Sequence, residues 1–178
     1  WIAEMVGLEL PVEPRIRAAF VFDCREALNG QTLPLTIDPS GVHVRTNPPH
    51  FLAGAPPVND LEVDPDDFKV RGEEWEENIW PVLAHRIPAF EKIKVRSSWA
   101  GHYAYNTLDQ NAILGTCETL PNFFFCNGFS GHGFQQSPGV GRGLSELITY
   151  GEYRSLDLTE LNYSRVLKNE PFLEKAVI

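Results

Sequence analysis

Positive charge, cysteine and long apolar runs are all scarce in this sequence. Lysine and arginine number 15 against 24 aspartates and glutamates, so the formal net charge is −9. With no basic run to neutralise phosphates, nucleic acid is excluded as a partner. The longest unbroken apolar run, Ala18-Ala19-Phe20-Val21-Phe22, has five residues, whereas a bilayer-spanning helix needs roughly 20. No membrane span is expected. The three cysteines, Cys24, Cys117 and Cys126, are odd in number and show no CxxC spacing, which removes a zinc ribbon and a thioredoxin-type pair. They read as buried or half-buried thiols of a reducing compartment; the location expected for the chain is the cytoplasm, or the mitochondrial matrix in a eukaryote. The five histidines offer no pair at metal-ligand spacing, and no metal is expected. The dinucleotide fingerprint GxGxxG is absent, because Gln136 stands where Gly131 and Gly133 require a further glycine. The nucleophile elbow GxSxG fails by one residue: Gly128-Phe129-Ser130-Gly131 is followed by His132. Ser130 is therefore expected to hydrogen-bond within a loop rather than attack a substrate.

What is present is a globular composition, 43% hydrophobic and 22% charged over 178 residues. A chain of this length buries roughly 70% of its unfolded surface and can build a full core. Fourteen glycines and 14 prolines favour many turns. The sequence opens on Trp1 rather than methionine, and nothing there reads as a signal peptide. Trp1, Met5 and Leu8 lie at helical spacing with Gly7 as the stop, as if the chain began inside a helix of a longer protein. Alternation predicts a strand over 14–24 and short strands over 33–37, 41–45 and 50–53, each bounded by Pro, Gly or Asn. An acidic connection over 55–67 follows. Trp75, Ile79, Leu83 and Ile87, at steps of four, then predict a helix, kinked or restarted at Pro81 and ended by Pro88. The acidic residues around it, Asp66, Asp67, Glu73, Glu74, Glu76 and Glu77, read as a solvated face. A long strand is predicted over 92–105 and a short one over 123–126. A helix is predicted over 138–150, with Ser137 as N-cap, Pro138 at its first position and Gly151 as its stop. The stretch 155–178 reads as a tail anchored by Leu156, Leu158 and Leu161. The fold class is α+β: an antiparallel sheet with one packing helix, then a strand–loop–helix unit.

The informative segment is Asn127-Gly128-Phe129-Ser130-Gly131-His132-Gly133-Phe134. It joins a buried strand to a helix start. Its glycines permit backbone angles that other residues resist and let a ligand approach the main chain. The helix start supplies free N–H groups and a partial positive charge, suited to a group that is or becomes negative. Gly139 and Gly143 lie four apart on one helix face. Each costs roughly 1 kcal/mol against alanine, and close approach of a flat ligand or another backbone is the expected reason. The second segment is Trp99-Ala100-Gly101-His102-Tyr103-Ala104-Tyr105-Asn106-Thr107. Strand alternation puts Gly101, Tyr103 and Tyr105 on one face and His102 on the other. The two phenols either line a pocket or belong to a half-buried strand. Among the histidines, only His102 and His132 lie beside glycines and aromatics; His43, His50 and His85 read as structural or surface residues.

Gly128-Phe129-Ser130-Gly131-His132-Gly133-Phe134 resembles the C-terminal flavin-contacting loop of the D-amino-acid oxidase/sarcosine oxidase family of FAD-dependent oxidoreductases. Leu10-Pro11-Val12-Glu13-Pro14-Arg15 looks like the strand entering that family's substrate domain. Trp80-Pro81, Pro88-Ala89-Phe90-Glu91 and Trp99-Ala100-Gly101 extend the resemblance over most of the chain. The resemblance implies four stretches. Residues 1–9 end a helix of the preceding FAD domain, 10–110 form the substrate domain, 111–151 return to the FAD domain, and 152–178 are a C-terminal tail. It implies FAD as cofactor, contacted by Gly128, Phe129, Ser130, Gly131, His132 and Gly133, with His102 beside it. Tyr103, Tyr105 and Gln135 would line the side of a small amine or amino-acid substrate, whose C–N-bearing carbon gives hydride to the flavin.

The sequence departs from the family pattern in three ways. The N-terminal glycine-rich segment that holds the ADP part of FAD is not in this chain, so an N-terminal FAD-binding half is implied as a partner. Gln135 stands where sarcosine oxidases carry a lysine that helps hold the substrate carboxylate, and Leu52 aligns with their oxygen-activating lysine. Their loss favours a dehydrogenase or another acceptor over a fast oxidase. His102 falls near the cysteine that bonds FAD covalently in monomeric sarcosine oxidase, so non-covalent FAD is expected. The alternative function is a flavoprotein-derived binding or assembly module without redox activity.

Overall fold

The structure is a computed structural model that describes residues 2–25, 28 and 32–174. In chain order its elements begin with α1 (Ile2–Met5), β1 (Val12–Cys24), β2 (Thr36–Ile37), β3 (His43–Asn47) and β4 (His50–Ala55). A π-helical segment, Glu74–Ile79, runs into α2 (Trp80–Arg86). Then come β5 (Ile93–Asn106), β6 (Ile113–Cys117), β7 (Leu120–Asn127), α3 (Gly133–Tyr150) and α4 (Ser164–Lys168). The chain divides into two units: residues 15–102 form one, and the segments up to Pro14 and from Tyr103 onward form the other. This is the expected α+β class. Among the described residues no helix is long and apolar enough to cross a membrane. Gly7 stops α1 at a φ of +74°; Trp1, expected in the same helix, lies outside the described residues.

The 15–102 unit is built on a sheet of order β2-β3-β4-β1-β5, with antiparallel ladders from β2 to β3, β3 to β4 and β4 to β1. Period-2 alternation drives it: Ala18, Phe20 and Phe22 of β1 point into the core, opposite Ala55, Ala53 and Phe51 of β4. Phe22 is fully buried, and its ring centroid lies 5.5 Å from that of Phe51 and 5.2 Å from that of Phe90. Trp75, Ile79 and Leu83 cover this cluster, as their spacing predicts. Pro81 restarts the helix as expected. The chain widens to a π turn just before it, with the Trp80 N–H donating to the Trp75 carbonyl, and Pro81 then sits in the first turn of α2, where its missing N–H costs nothing.

In the other unit, β6 and β7 form an antiparallel hairpin. Ile113 and Cys117 of β6 pack into one apolar cluster with Phe125 and Tyr163, and Leu114 into another with Ala112 and Val140. A strand buried on both faces shows no apolar–polar alternation, which is why the sequence reading missed β6. Cys117 is buried and Cys24 half-buried as expected, whereas Cys126 is exposed.

One further expectation is corrected here, and one is extended. The helix α3 begins at Gly133, five residues before the expected start at Pro138. Pro138 lies inside it and cannot donate to the Phe134 carbonyl four residues back. The Ser137 hydroxyl donates to that carbonyl at 2.8 Å instead, so Ser137 repairs the helix interior rather than capping its start. The described residues after 155 are anchored by Leu158 and Leu161, as expected, and also bury residues that were not expected to be buried. Tyr163 is 1% exposed and stacks on Phe125 at 4.4 Å, and Arg165 is 5% exposed.

Candidate functional site

The 128–133 loop connects β7 to α3 and is fixed by contacts inside its own unit. Gly128 has φ +70°, and a Cβ there would lie 3.2 Å from Val12 Cγ2 and 3.3 Å from Asn106 Cβ. Gly131 has φ +98°, and a Cβ there would meet the Tyr103 ring at 2.5 Å and 2.7 Å. Both glycines are thus required by backbone angle and by neighbouring side chains. Between them Ser130 is 1% exposed and holds φ +50°, in the left-handed region. Its N–H donates to the Ala104 carbonyl at 3.1 Å, and its Oγ accepts from the Asn106 N–H at 2.9 Å. The hydroxyl is thereby committed to the backbone of β5, as the failed nucleophile pattern led us to expect.

Beyond the loop, the His132 N–H donates to the Phe129 carbonyl at 2.9 Å, and α3 opens without any side-chain cap. The first intrahelical bond runs from the Gln136 N–H to the His132 carbonyl at 3.1 Å. The N–H groups of Gly133, Phe134 and Gln135 are left without intrahelical acceptors, at the positive end of an 18-residue helix. Phe134 is 93% exposed and Gln135 is exposed beside it. The donor set suits a ligand edge that carries or acquires negative charge.

The structure brings Tyr103 directly beneath Gly131 and places Tyr105, also half-buried, two residues along the same strand face. His102 points to the other face. Its Nε2 lies 2.6 Å from the Asp67 carbonyl oxygen, and its ring stacks on Phe68 at 4.4 Å. The glycine pair of α3 has a different reason from the one expected. A Cβ at Gly139 would lie 3.5 Å from Leu156 Cδ1, and one at Gly143 2.4 Å from Leu158 Cδ1. Leucine side chains of the C-terminal segment, not a flat ligand or a backbone, fill that face. Glu146 holds the turn that delivers them. Its carboxylate accepts from the Ser155 hydroxyl and N–H, Arg142 Nε at 2.6 Å and the Arg154 N–H at 2.8 Å. These bonds, those from Ser155 foremost, hold the carboxyl at about 2.

Sequence reasoning missed the buried polar group behind the loop. Asn106 and Asp109 are fully buried, and Arg165 closes on Asp109 with Nε to Oδ2 at 2.7 Å and Nη2 to Oδ1 at 3.2 Å. Asn106 Nδ2 donates to the same Asp109 Oδ1 at 2.8 Å. The one available signal was the polar run over 106–111, which holds Asn106, Asp109 and Asn111 just before the apolar Ala112-Ile113-Leu114; no spacing rule tied it to Arg165.

A pinned glycine loop, an uncapped helix start and a tyrosine-bearing strand thus lie together in one unit. The chain matches the FAD dependent oxidoreductase (DAO) family over residues 1–147, and it belongs to that family. It is similar to FAD-dependent oxidoreductase domain-containing protein 1 of Xenopus laevis, 42% identical over 174 residues that cover 97% of this chain and 35% of that protein. The Bos taurus protein of the same name is 39% identical over 176 residues, covering 98% and 36%. The chain therefore spans about a third of the length of these relatives. Among solved structures, L-proline dehydrogenase from P. horikoshii superposes with a TM-score of 0.80 at 24% identity, covering 96% of this chain and 44% of that one. Glycine oxidase from Geobacillus kaustophilus gives 0.75 at 21% identity, covering 92% and 42%. At these identities the likeness is one of fold.

Proposed function

We propose that this chain is the C-terminal portion of a FAD-dependent oxidoreductase that oxidises a C–N bond of an amine or amino acid. The observation that carries the reading is the uncapped start of α3 behind the pinned loop, where three N–H groups await an acceptor. Those of Gly133, Phe134 and Gln135 would hold the flavin edge that gains negative charge on reduction. When bound, FAD supplies the hydride acceptor. The chain's own residues then bind and orient. Gly131 keeps the Tyr103 ring close against the loop, and Tyr105 continues that face. Gln135, neutral and exposed, offers hydrogen bonds to a substrate but no counter-charge for a carboxylate. Non-covalent FAD, an N-terminal FAD-binding half and a location in the cytoplasm or mitochondrial matrix belong to the same proposal. The fold shared with a proline dehydrogenase and a glycine oxidase supports the C–N substrate class.

Turnover of secondary amines and amino acids by the full-length protein, with oxygen and with an artificial acceptor in parallel, tests the reading. Oxidation of at least one C–N substrate, faster with the artificial acceptor, is expected. Retained FAD with no turnover of any of them would overturn it in favour of a binding or assembly module.

A further inference from the structure

Arg165 lies beyond the stretch matched by the family, which ends at residue 147. It is nonetheless one of the most completely bonded side chains of its unit. Besides its two bonds to Asp109, Nη2 donates to the carbonyls of Asn111 at 3.1 Å and Ala112 at 2.9 Å, and Nη1 to that of Leu161 at 2.6 Å. Asp109 passes the constraint on. Its Oδ1 accepts from Asn106 Nδ2 at 2.8 Å and from the Asn111 N–H at 3.1 Å, while Oδ2 accepts from the Phe172 N–H at 3.0 Å. Asn106 is held on every side: Nδ2 also reaches the Asn111 carbonyl at 2.6 Å, and Oδ1 accepts from the Leu108 N–H at 3.0 Å. With its side chain fixed, its backbone N–H is aimed at Ser130 Oγ, 2.9 Å away, in the loop itself. Ser130 is the residue that must hold a left-handed φ without being glycine, and such a conformation persists only where its surroundings over-determine it.

We infer that Arg165 is a positioning residue for the 128–133 loop, acting through Asp109 and Asn106 on Ser130. The C-terminal segment is thus a strut that sets the loop from behind. A guanidinium suits the task because its planar fork meets both carboxylate oxygens of Asp109 and still has donors for three carbonyls. A lysine carries the charge but cannot reproduce the fork. The loop geometry stands by itself; its consequence for flavin rests on the function proposed above.

The test is amide hydrogen exchange on the full-length protein for Arg165→Lys, Ser130→Ala, their double variant and Tyr163→Phe. The last removes the Tyr163 hydroxyl bond to the Glu9 carbonyl, in the same segment but off the route to Asp109. We expect amides of the 128–133 loop to exchange about tenfold faster in Arg165→Lys than in Tyr163→Phe. Ser130→Ala should loosen the loop to a similar extent while the amides of α4 stay as in the wild type. The double variant should exceed neither single variant, because both cut one chain of bonds. Loop exchange unchanged in Arg165→Lys, or unchanged in Ser130→Ala, or multiplied in the double variant, would each overturn the inference. The spectrum of bound flavin, read on the same samples, separates the two claims. A loosened loop with a shifted spectrum supports both. A loosened loop with an unshifted spectrum keeps the strut and removes the loop as a flavin contact.

Discussion

Replacing Gly131 by alanine puts the loop's geometry to a quantitative test. The new Cβ would sit 2.5 Å from Tyr103 Cε2 and 2.7 Å from Cζ, inside contact distance, on a backbone at φ +98°. Two costs arise. The unfavourable φ contributes about 1–3 kcal/mol for a residue with a Cβ. Forcing the Tyr103 ring aside contributes about 1–3 kcal/mol more, in the manner of any overpacked contact. Gly131→Ala should therefore destabilise by about 2–6 kcal/mol. Urea unfolding of the full-length protein measures it, in the wild-type background and in Tyr103→Ala. Without the ring only the φ cost remains, so the same substitution should fall to about 1–3 kcal/mol there. A cost equal in the two backgrounds to within about 0.5 kcal/mol would refute the clash. A cost below about 1 kcal/mol in the wild type would refute both components.

Two other predictions follow from α3. Ser137→Ala leaves the Phe134 carbonyl without its donor and should cost about 1 kcal/mol, but close to nothing in a Pro138→Ala background, where residue 138 regains its N–H; thermal unfolding of the four variants checks it. The Glu146 carboxyl sits at about 2 in the folded protein against an ordinary 4.5, so on acidification the unfolded chain takes up the proton first. The stability it contributes is complete above 4.5 and is lost as the pH falls toward 2, so the gap between wild type and Glu146→Gln in urea unfolding should narrow over that window; a gap that widens would contradict the bonding described.

What the sequence disclosed follows from where each side chain points. β1 was legible because a sheet with one buried face writes alternation into the chain, and Phe20 and Phe22 mark it plainly; in β5 Ile93 and Val95 carry the same pattern at its start. The helix carrying Trp75, Ile79 and Leu83 was legible for the same reason at a different period, and Pro81 announced its restart. β6 was not, because Ile113 and Leu114 are buried on opposite faces. The start of α3 was misread because Ser137-Pro138 is a strong start signal, and only the structure shows the serine hydroxyl replacing the bond the proline cannot make. The loop of the candidate site stood out by its glycines, yet the reasons for Gly128 and Gly131 lie in Val12, Asn106 and Tyr103, which no local spacing reveals. Arg165 was hidden because its partner is 56 residues away in sequence.

The most direct test of the proposed oxidoreductase is anaerobic titration of the full-length, flavin-loaded protein with secondary amines and amino acids, following the visible flavin band. The account predicts that at least one of them bleaches the band and that oxidised acceptor restores it. A band that every amine leaves untouched, while dithionite reduces it fully, would contradict C–N oxidation by this protein.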